Sequence, residues 1–449
     1  MWTMWLGCAG TATFITDDGH VDRPAPPPTA TRPTDTLPAF FGEAPKNLLM
    51  ISIDTTRKDH ISAYGDLGLT PFLDSLMKGG YTLDDHAQCS NWTYPGTTCV
   101  QLGRSHTDMG FLPALPIQFQ AIMPDTPTLA SWLKDAGFQT ALWTTNSWFS
   151  GQWRSNQGFD VTTLKGGALE TLIAEAATTI QASEAAGVER WYVHIHGIEP
   201  HPAYNPPESY LDGLDGLDPI PFDLSSFEQH YDATGAWPYL TPEEQALLLE
   251  HLTVRYHGEI RYFDDQLAAA WADLDSRGLL DDTLVVIWND HGESFWEHGH
   301  QTHAWTLHTQ ENDAFAVFWA KNIVPGSWKG PTQALDLAPT LLSLWDIPLA
   351  EEITGYAVGT APADRARFIW SWARNGVDQA ILKDGWRLMF DWKTKLELYD
   401  DVSDPENLTD LYDPDHPVAE ALWPLLAEEM ARMEPLTTPV VPELPVPAP

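Results

Sequence analysis

Basic residues, cysteine and long apolar runs are all scarce in this chain, and each scarcity removes a class of function. Only 24 Lys and Arg stand against 63 Asp and Glu, a formal net charge of −39 over 449 residues. So acidic a chain repels phosphate backbones and anionic headgroups, which argues against nucleic acid or an anionic membrane as partner. It suits a soluble protein from a saline or extracytoplasmic setting, although acidity shared by a whole proteome says nothing of substrate. Three cysteines, Cys8, Cys89 and Cys99, are too few for a disulfide framework. No run of about 18 apolar residues occurs, so no transmembrane span is expected. The 21 Trp are scattered and form no repeat.

What is present is ample apolar content, 43%, in a length that suits one large α/β domain and a smaller one. Residues 1–44 read as a leader and a tether. Leu6-Gly7-Cys8 is similar to a bacterial lipoprotein cleavage site, which implies export and a lipid anchor on Cys8. No positive n-region precedes it, so a true start upstream and a merely ragged terminus both stay open. Pro24-Ala-Pro-Pro-Pro28 opens an extended, Thr-rich linker, and residues 434–449 form a Pro-rich tail.

Between these ends strands alternate with helices. Asn47–Ile53 is a nearly continuous apolar run, as in a strand buried on both faces. Thr70-Pro71 and Asp125-Thr-Pro127 open helices that stop at Gly79-Gly80 and Gly137, and Thr241-Pro-Glu-Glu244 caps a long one reaching Arg277. Gln139–Thr144, Arg190–His196, Thr283–Trp288 and Ala314–Trp319 read as strands, and Leu169–Ala186 as a helix. This succession predicts a large, mostly parallel sheet sandwiched by helices over residues 45–366. From Arg367 the texture changes to short strand-like runs and a last helix, Val418–Met433, predicting a small antiparallel α+β subdomain over 367–433.

In such sheets ligands bind beyond the carboxyl ends of the strands. Those ends carry Asp54 with Arg57 and Asp59; His194 and His196 with Glu199 and His201; and Asp290, His291 and Glu293 with His298, His300 and His303. A carboxylate directly after a buried apolar run is costly unless it caps something or binds a cation. Each group alone reads as a surface turn; together they favour a metal site. The segment Ser90–Arg104 hands a hydroxyl, Thr93, to the start of a helix, where the dipole favours an alkoxide or a bound phosphate. Taken alone, Thr93 reads first as a simple N-cap, and it is the company of the other strand-end groups that favours the functional reading.

With these residues placed, the chain resembles the sulfatase and phosphoesterase branch of the alkaline phosphatase superfamily, over about Pro45–Glu434. The matching segments are Asn47–Gly65, Thr70–Gly79, Thr93–Gly103, Val193–Pro207, Tyr256–Leu267, Asp336–Pro348 and Leu398–Leu408, with Asp290–Gly299 (DHGESFWEHG) the most specific. The resemblance implies an alkaline-phosphatase-like fold, Asp54, Asp290, His291 and Thr93 as ligands of one divalent ion, and Thr93 as nucleophile. His201 and His303 match histidines that contact the transferred or leaving group; Arg57 would do the same, or only pair with Asp59. Two carboxylates, one imidazole and one alkoxide suit Mn²⁺, Zn²⁺, Mg²⁺ or Ca²⁺. A second ion would have to draw on Glu199, His201, His298 or His303.

The departures from the family are informative. Sulfatases proper carry Cys or Ser in Cys/Ser-x-Pro-x-Arg, oxidised to formylglycine. Here the window reads Thr93-Tyr-Pro-Gly-Thr97. A secondary alcohol would oxidise to a ketone, and Thr97 replaces the Arg, so no formylglycine is expected. A Thr there resembles the family's phosphodiesterases and phosphoethanolamine or glycerophosphate transferases. Three functions therefore stand: a metal-dependent phosphoester hydrolase or transferase acting through phosphothreonine at Thr93; a sulfate-ester hydrolase working without formylglycine; and a non-catalytic relative that binds a glycan or lipid. The substrate would be a small-molecule, lipid or glycan ester. The acidic, Pro-rich insert Pro202–Pro238 is a lid or a passive surface loop.

Overall fold

The computed structural model describes residues 37–109, 121–371, 378–391 and 395–432. The proposed leader with Cys8, most of the tether, and the Pro-rich tail lie outside the described residues. Among the described residues, fifteen strands and ten α-helices run in the order β1 (Asn47–Ile53), α1 (Pro71–Gly79), β2 (Tyr81–Ala87), α2 (Thr93–Leu102), α3 (His106–Met109), α4 (Leu129–Asp135), β3 (Gln139–Thr144), β4 (Val161–Leu164), α5 (Leu169–Ala185) and β5 (Trp191–Gly197). Then come α6 (Phe227–Gly235), α7 (Pro242–Ser276), β6 (Thr283–Asn289), β7 (Ser294–Phe295), β8 (Gln301–Thr302), α8 (Thr309–Asn312), β9 (Asp313–Trp319), β10 (Gly326–Trp328), β11 (Thr332–Gln333), α9 (Leu337–Leu344), β12 (Arg367–Ser371), β13 (Asp378–Lys383), β14 (Trp386–Phe390), β15 (Leu396–Asp400) and α10 (Pro417–Ala431).

The large sheet runs β10-β2-β9-β6-β1-β5-β3-β4, with β11 also on β2. It is mostly parallel; β9 alone runs against its neighbours β2 and β6. β1 lies at the centre between β5 and β6, parallel to both. Its apolar run divides as a doubly covered strand must. Leu48 and Met50 join a core with Cys99, Val100, Leu129, Leu133 and Leu341 from α2, α4 and α9. Leu49, Ile51 and Ile53 join the opposite core with Leu73, Leu172, Ile173, Phe263 and Leu267 from α1, α5 and α7. Each such burial is worth about 1.5–3 kcal/mol, so the strand ends they anchor are held rigidly.

β12-β13-β14-β15 form a separate antiparallel sheet. Alternation decides its two faces: Ile381, Leu388 and Leu398 pack under α10, while Ala380, Leu382, Met389 and Tyr399 pack on Ala87 and Leu307 of the large domain. Trp370 of β12 donates its N–H to Cys89 and accepts from the Ser90 hydroxyl, tying this sheet to the segment that leads into α2. Too few for a framework, the cysteines still make one bridge: Cys89 and Cys99 form a disulfide across that same segment, their Cα atoms 6.6 Å apart. A single bridge needs only two cysteines brought together, and the turn into α2 does so.

Candidate active site

The three expected strand ends do converge. Asp54 follows β1, and its N–H donates to the Gly197 carbonyl at the end of β5. Asp290 follows β6, and its N–H donates to Ile53. Thr55 turns the chain away with φ at +51°, a conformation that costs a β-branched residue about 1–3 kcal/mol. That turn aims the Thr55 N–H at Asp290 Oδ1, 3.2 Å away. Tyr256 of α7 braces it, donating to the Thr55 carbonyl at 2.6 Å and accepting from the Arg57 N–H.

α2 enters this convergence end-on. Thr93 is its first residue, not its cap: Trp92 holds the cap position, and no side chain caps the helix. The Thr93 hydroxyl instead lies 3.4 Å from Asp54 Oδ1 and 3.3 Å from His291 Nε2. Two glycines permit this approach. A methyl on Gly96 would come within 2.6 Å of the Asp290 carbonyl oxygen, and one on Gly292 within 2.0 Å of the Gln310 carbonyl oxygen. Thr97, in the position where sulfatases proper carry Arg, is buried and donates back to the Thr93 carbonyl at 2.7 Å; it brings no charge to the site.

Asp54, Asp290 and His291 present ligand atoms within 4.8 Å of one another, all fully buried. This donor set fits a divalent cation. Two carboxylates buried side by side repel, and Asp290 Oδ2 has no hydrogen-bond partner. Burial and the charge of Asp54 push Asp290 above the usual carboxylate range. Asp54 goes the other way: burial opposes its ionisation, but His201, His196 and His291 together take it well below that range. His291 rises to about 9 against its burial, because the charges of Asp290 and Asp54 favour the imidazolium. A cation would offset the charge of both carboxylates and take the place of the His291 proton. Among the described residues this is the one such cluster.

His303 lies beside it, its ring centre 4.4 Å from that of His291 and 5.2 Å from that of His201. The Glu293 carboxylate, wholly buried, is 3.2 Å from His303 Nδ1 and orients the ring. His201 donates from Nδ1 to the Pro202 carbonyl at 2.7 Å, leaving Nε2 as its second nitrogen. Of the two roles expected of Arg57, the pairing with Asp59 is present. Its guanidinium is also tied to Glu297 and to the Glu293 carbonyl. His298 and His300 stand apart from the metal cluster, lining a cavity of about 540 Å³ against the small sheet with Trp305, His308 and Tyr399.

Two contributors are missing from the residues that the sequence singles out. Asn146, just beyond β3, donates to Asp54 Oδ2 at 3.1 Å; the same strand-end logic points to it. Glu311, buried in α8, accepts from Asn91 at 2.9 Å and from Ser294 at 2.8 Å, so it steadies the chain two residues before Thr93. Nothing local in the sequence marks it. The insert is a packed wall: Tyr204, Leu224 and Ala233 share a core with Leu248, Leu252 and Ile260 of α7, and Phe227 stacks parallel to the His201 ring at 6.1 Å.

Glu259 of α7 holds this wall by accepting the Asn205 N–H at 2.7 Å. Burial raises its carboxyl to about 8. A raised acid favours the folded state below the ordinary carboxylate range and loses that advantage as pH climbs through the folded value. Glu259→Gln keeps an acceptor without the charge. The variant is expected to be more stable than the parent by a few kcal/mol near pH 9, and equal to it below about pH 4.5, in denaturant melts.

A mostly parallel α/β sheet covered by helices, with a small antiparallel sheet beside it, is an alkaline-phosphatase-like fold, and here a carboxylate–imidazole cluster lies at its strand ends. The sulfatase family profile matches residues 46–347, and the chain belongs to the sulfatase family, enzymes that act on sulfate or phosphate esters. It is 27% identical over 188 residues to a choline-sulfatase of Rhizobium meliloti (strain 1021), covering 37% of this chain and 34% of that protein; the match thus spans about a third of the relative's length. Among solved structures, a protein in complex with its substrate D-glucosamine-2-N,6-O-disulfate aligns with a TM-score of 0.70 at 16% identity, over 87% of this chain and 99% of the other. The phosphonate monoester hydrolase from Silicibacter pomeroyi aligns with a TM-score of 0.65 at 18% identity, over 88% and 96%.

Proposed function

We propose that this protein is a divalent-metal-dependent hydrolase or transferase of phosphoesters, of the phosphodiester or phosphoethanolamine type, with Thr93 as nucleophile. The observation that carries this reading is the Thr93 hydroxyl: buried, at the head of α2, unused as a cap, and within 3.4 Å of Asp54 and 3.3 Å of His291. A divalent cation at Asp54, Asp290 and His291 would favour the alkoxide and offset phosphoryl charge, an effect that takes the pKa of bound water from about 15.7 to about 7. Thr93 attacks phosphorus and the P–O bond to the alcohol breaks, leaving phosphothreonine. His201 or His303 gives the departing alkoxide its proton. Water or an acceptor alcohol then takes the phosphoryl group and frees Thr93. Glu293 keeps His303 in place, and Phe227 beside His201 bounds the space for the leaving alcohol.

A sulfate ester is the second reading, favoured by the similarity to a choline-sulfatase. The deciding measurement is turnover of nitrophenyl phosphate, bis-nitrophenyl phosphate and nitrophenyl sulfate with Mn²⁺ or Zn²⁺, joined to mass spectrometry of acid-quenched enzyme. The expected result is preference for a phosphoester and a phosphoryl adduct on the peptide spanning Trp92 to Arg104. Faster turnover of the sulfate, with no adduct, would replace the first reading by the second. For location we propose an extracytoplasmic compartment. The Cys89–Cys99 disulfide supports it, since such bonds persist in oxidising surroundings. No helix among the described residues is long and apolar enough to cross a membrane.

A further inference from the structure

Asp54 divides its two carboxylate oxygens between different tasks. Oδ1 lies 3.4 Å from Thr93 Oγ1 and 3.4 Å from His291 Nε2, on the side of the metal cluster. Oδ2 faces away and meets two donors, Asn146 Nδ2 at 3.1 Å and His196 Nε2 at 3.2 Å. The Asn146 amide is oriented by its own Oδ1, which accepts the Trp148 N–H at 3.0 Å. His196 is oriented by something less usual. Ser52 Oγ lies 2.8 Å from His196 Nδ1 and 2.9 Å from His194 Nε2. Ser52 sits opposite His196 in the parallel register of β1 and β5, so the chain His194–Ser52–His196–Asp54 is built across two central strands. None of the four is more than 1% exposed. The Phe149 ring covers both imidazoles, with centres 4.8 Å from His196 and 5.7 Å from His194.

With both imidazoles neutral, the protons in this chain have one consistent order. A neutral imidazole has one N–H and one bare nitrogen, and a hydroxyl has one proton to give. A bare His196 Nε2 would set its lone pair against the Asp54 carboxylate, so Nε2 carries the proton and donates. Its Nδ1 is then an acceptor, and Ser52 must donate to it. With its proton spent, Ser52 accepts from His194 Nε2–H. That leaves His194 Nδ1 as the bare nitrogen, and it is the one atom of the chain with no hydrogen-bond partner. The order places the unmatched position on an acceptor, which costs less than an orphaned donor. The reverse order would leave an N–H without a partner and a lone pair facing a carboxylate.

We infer that Ser52 and His194 are positioning residues that, together with the Asp54 carboxylate, hold His196 in place as its Nε2–H tautomer, so that Asp54 Oδ2 stays engaged and Oδ1 is held toward the divalent-cation site. The inference rests on reading Asp54, Asp290 and His291 as a metal site; it does not depend on Thr93 or on which ester is cleaved. Partners behind a ligand of this kind are worth about ten- to a hundredfold in metal affinity.

The test is Ser52→Ala, with Ser52→Thr as the variant that keeps the hydroxyl. Mn²⁺ and Zn²⁺ affinities are measured by chelator competition, and long-range ¹H–¹⁵N spectra of the histidines report the tautomer of the ion-free protein. Ser52→Ala is expected to bind either ion about ten- to a hundredfold more weakly and to lose the single Nε2–H pattern of His196, while Ser52→Thr stays close to the parent in both. A purely structural role for Ser52 would lower the melting temperature but leave the tautomer and the affinity unchanged. Equal affinity of Ser52→Ala and the parent overturns the inference while leaving the metal site standing. A parent His196 protonated on Nδ1 overturns it even if Ser52→Ala does not fold. A parent that binds neither ion overturns the metal reading and the inference with it.

Discussion

Thr93→Ala is expected to lose nearly all ester turnover, by a factor on the order of 10⁴–10⁶, while still binding its divalent ion. The carboxylates of Asp54 and Asp290 and the imidazole of His291 are untouched by the change and lie within 4.8 Å of one another without the hydroxyl. What is missing is the oxygen that forms the covalent bond. Thr93→Ser restores a hydroxyl at the same helix position and is expected to keep part of the phosphoesterase activity. Thr93→Cys is expected to fail with a hard ion, because a thiolate matches such an ion poorly. A maturase supplied to the Cys variant is expected to give little sulfatase activity, since Thr97 stands where the oxidation motif carries Arg. Single-turnover rates, metal content and the mass of the Trp92–Arg104 peptide check the series together. Turnover by Thr93→Ala at the parent rate would reduce Thr93 to an ordinary residue of the first helical turn.

The parts of this site that local chemistry dictates were legible in the sequence. A nearly continuous apolar run ending just before Asp54 is expected to be a strand covered on both faces, and Leu48 and Leu49 do fall into opposite cores. The same reasoning placed Asp290 and His291 at a neighbouring strand end. Elements whose stability comes from distant partners were not legible. β2 reads Tyr-Thr-Leu-Asp-Asp-His-Ala, too polar for a buried strand, yet it pairs with β9 and carries β10 and β11 on its other edge. The Cys89–Cys99 bridge depends on how α2 docks, not on the number of cysteines. Gly96 and Gly292 lie in a helix start and a turn, where nothing local shows the close backbone approach that requires them. Ser52 is a single polar residue in an apolar strand, and its partners His194 and His196 belong to a strand about 140 residues later.

Asp290→Ala is expected to abolish metal binding and activity and leave a folded protein, and Asp290→Asn should show why. In the ion-free site two buried carboxylates face each other, and burial together with the Asp54 charge raises Asp290 above its usual range. That arrangement favours folding only when a cation joins it. Asn has the same shape, removes the repulsion, and retains a carbonyl oxygen for the Thr55 N–H that Asp290 Oδ1 now accepts at 3.2 Å. The two proteins should therefore change order. With chelator near neutral pH, Asp290→Asn should melt above the parent. With excess Mn²⁺ or Zn²⁺ the parent should gain about 4 kcal/mol at a thousandfold excess over its dissociation constant, while the variant gains little and melts below it. Elemental analysis of Asp290→Ala supplies the independent check: full occupancy there, or the same metal-induced shift in Asp290→Asn as in the parent, would remove Asp290 from the ligand set and overturn this assignment of the site.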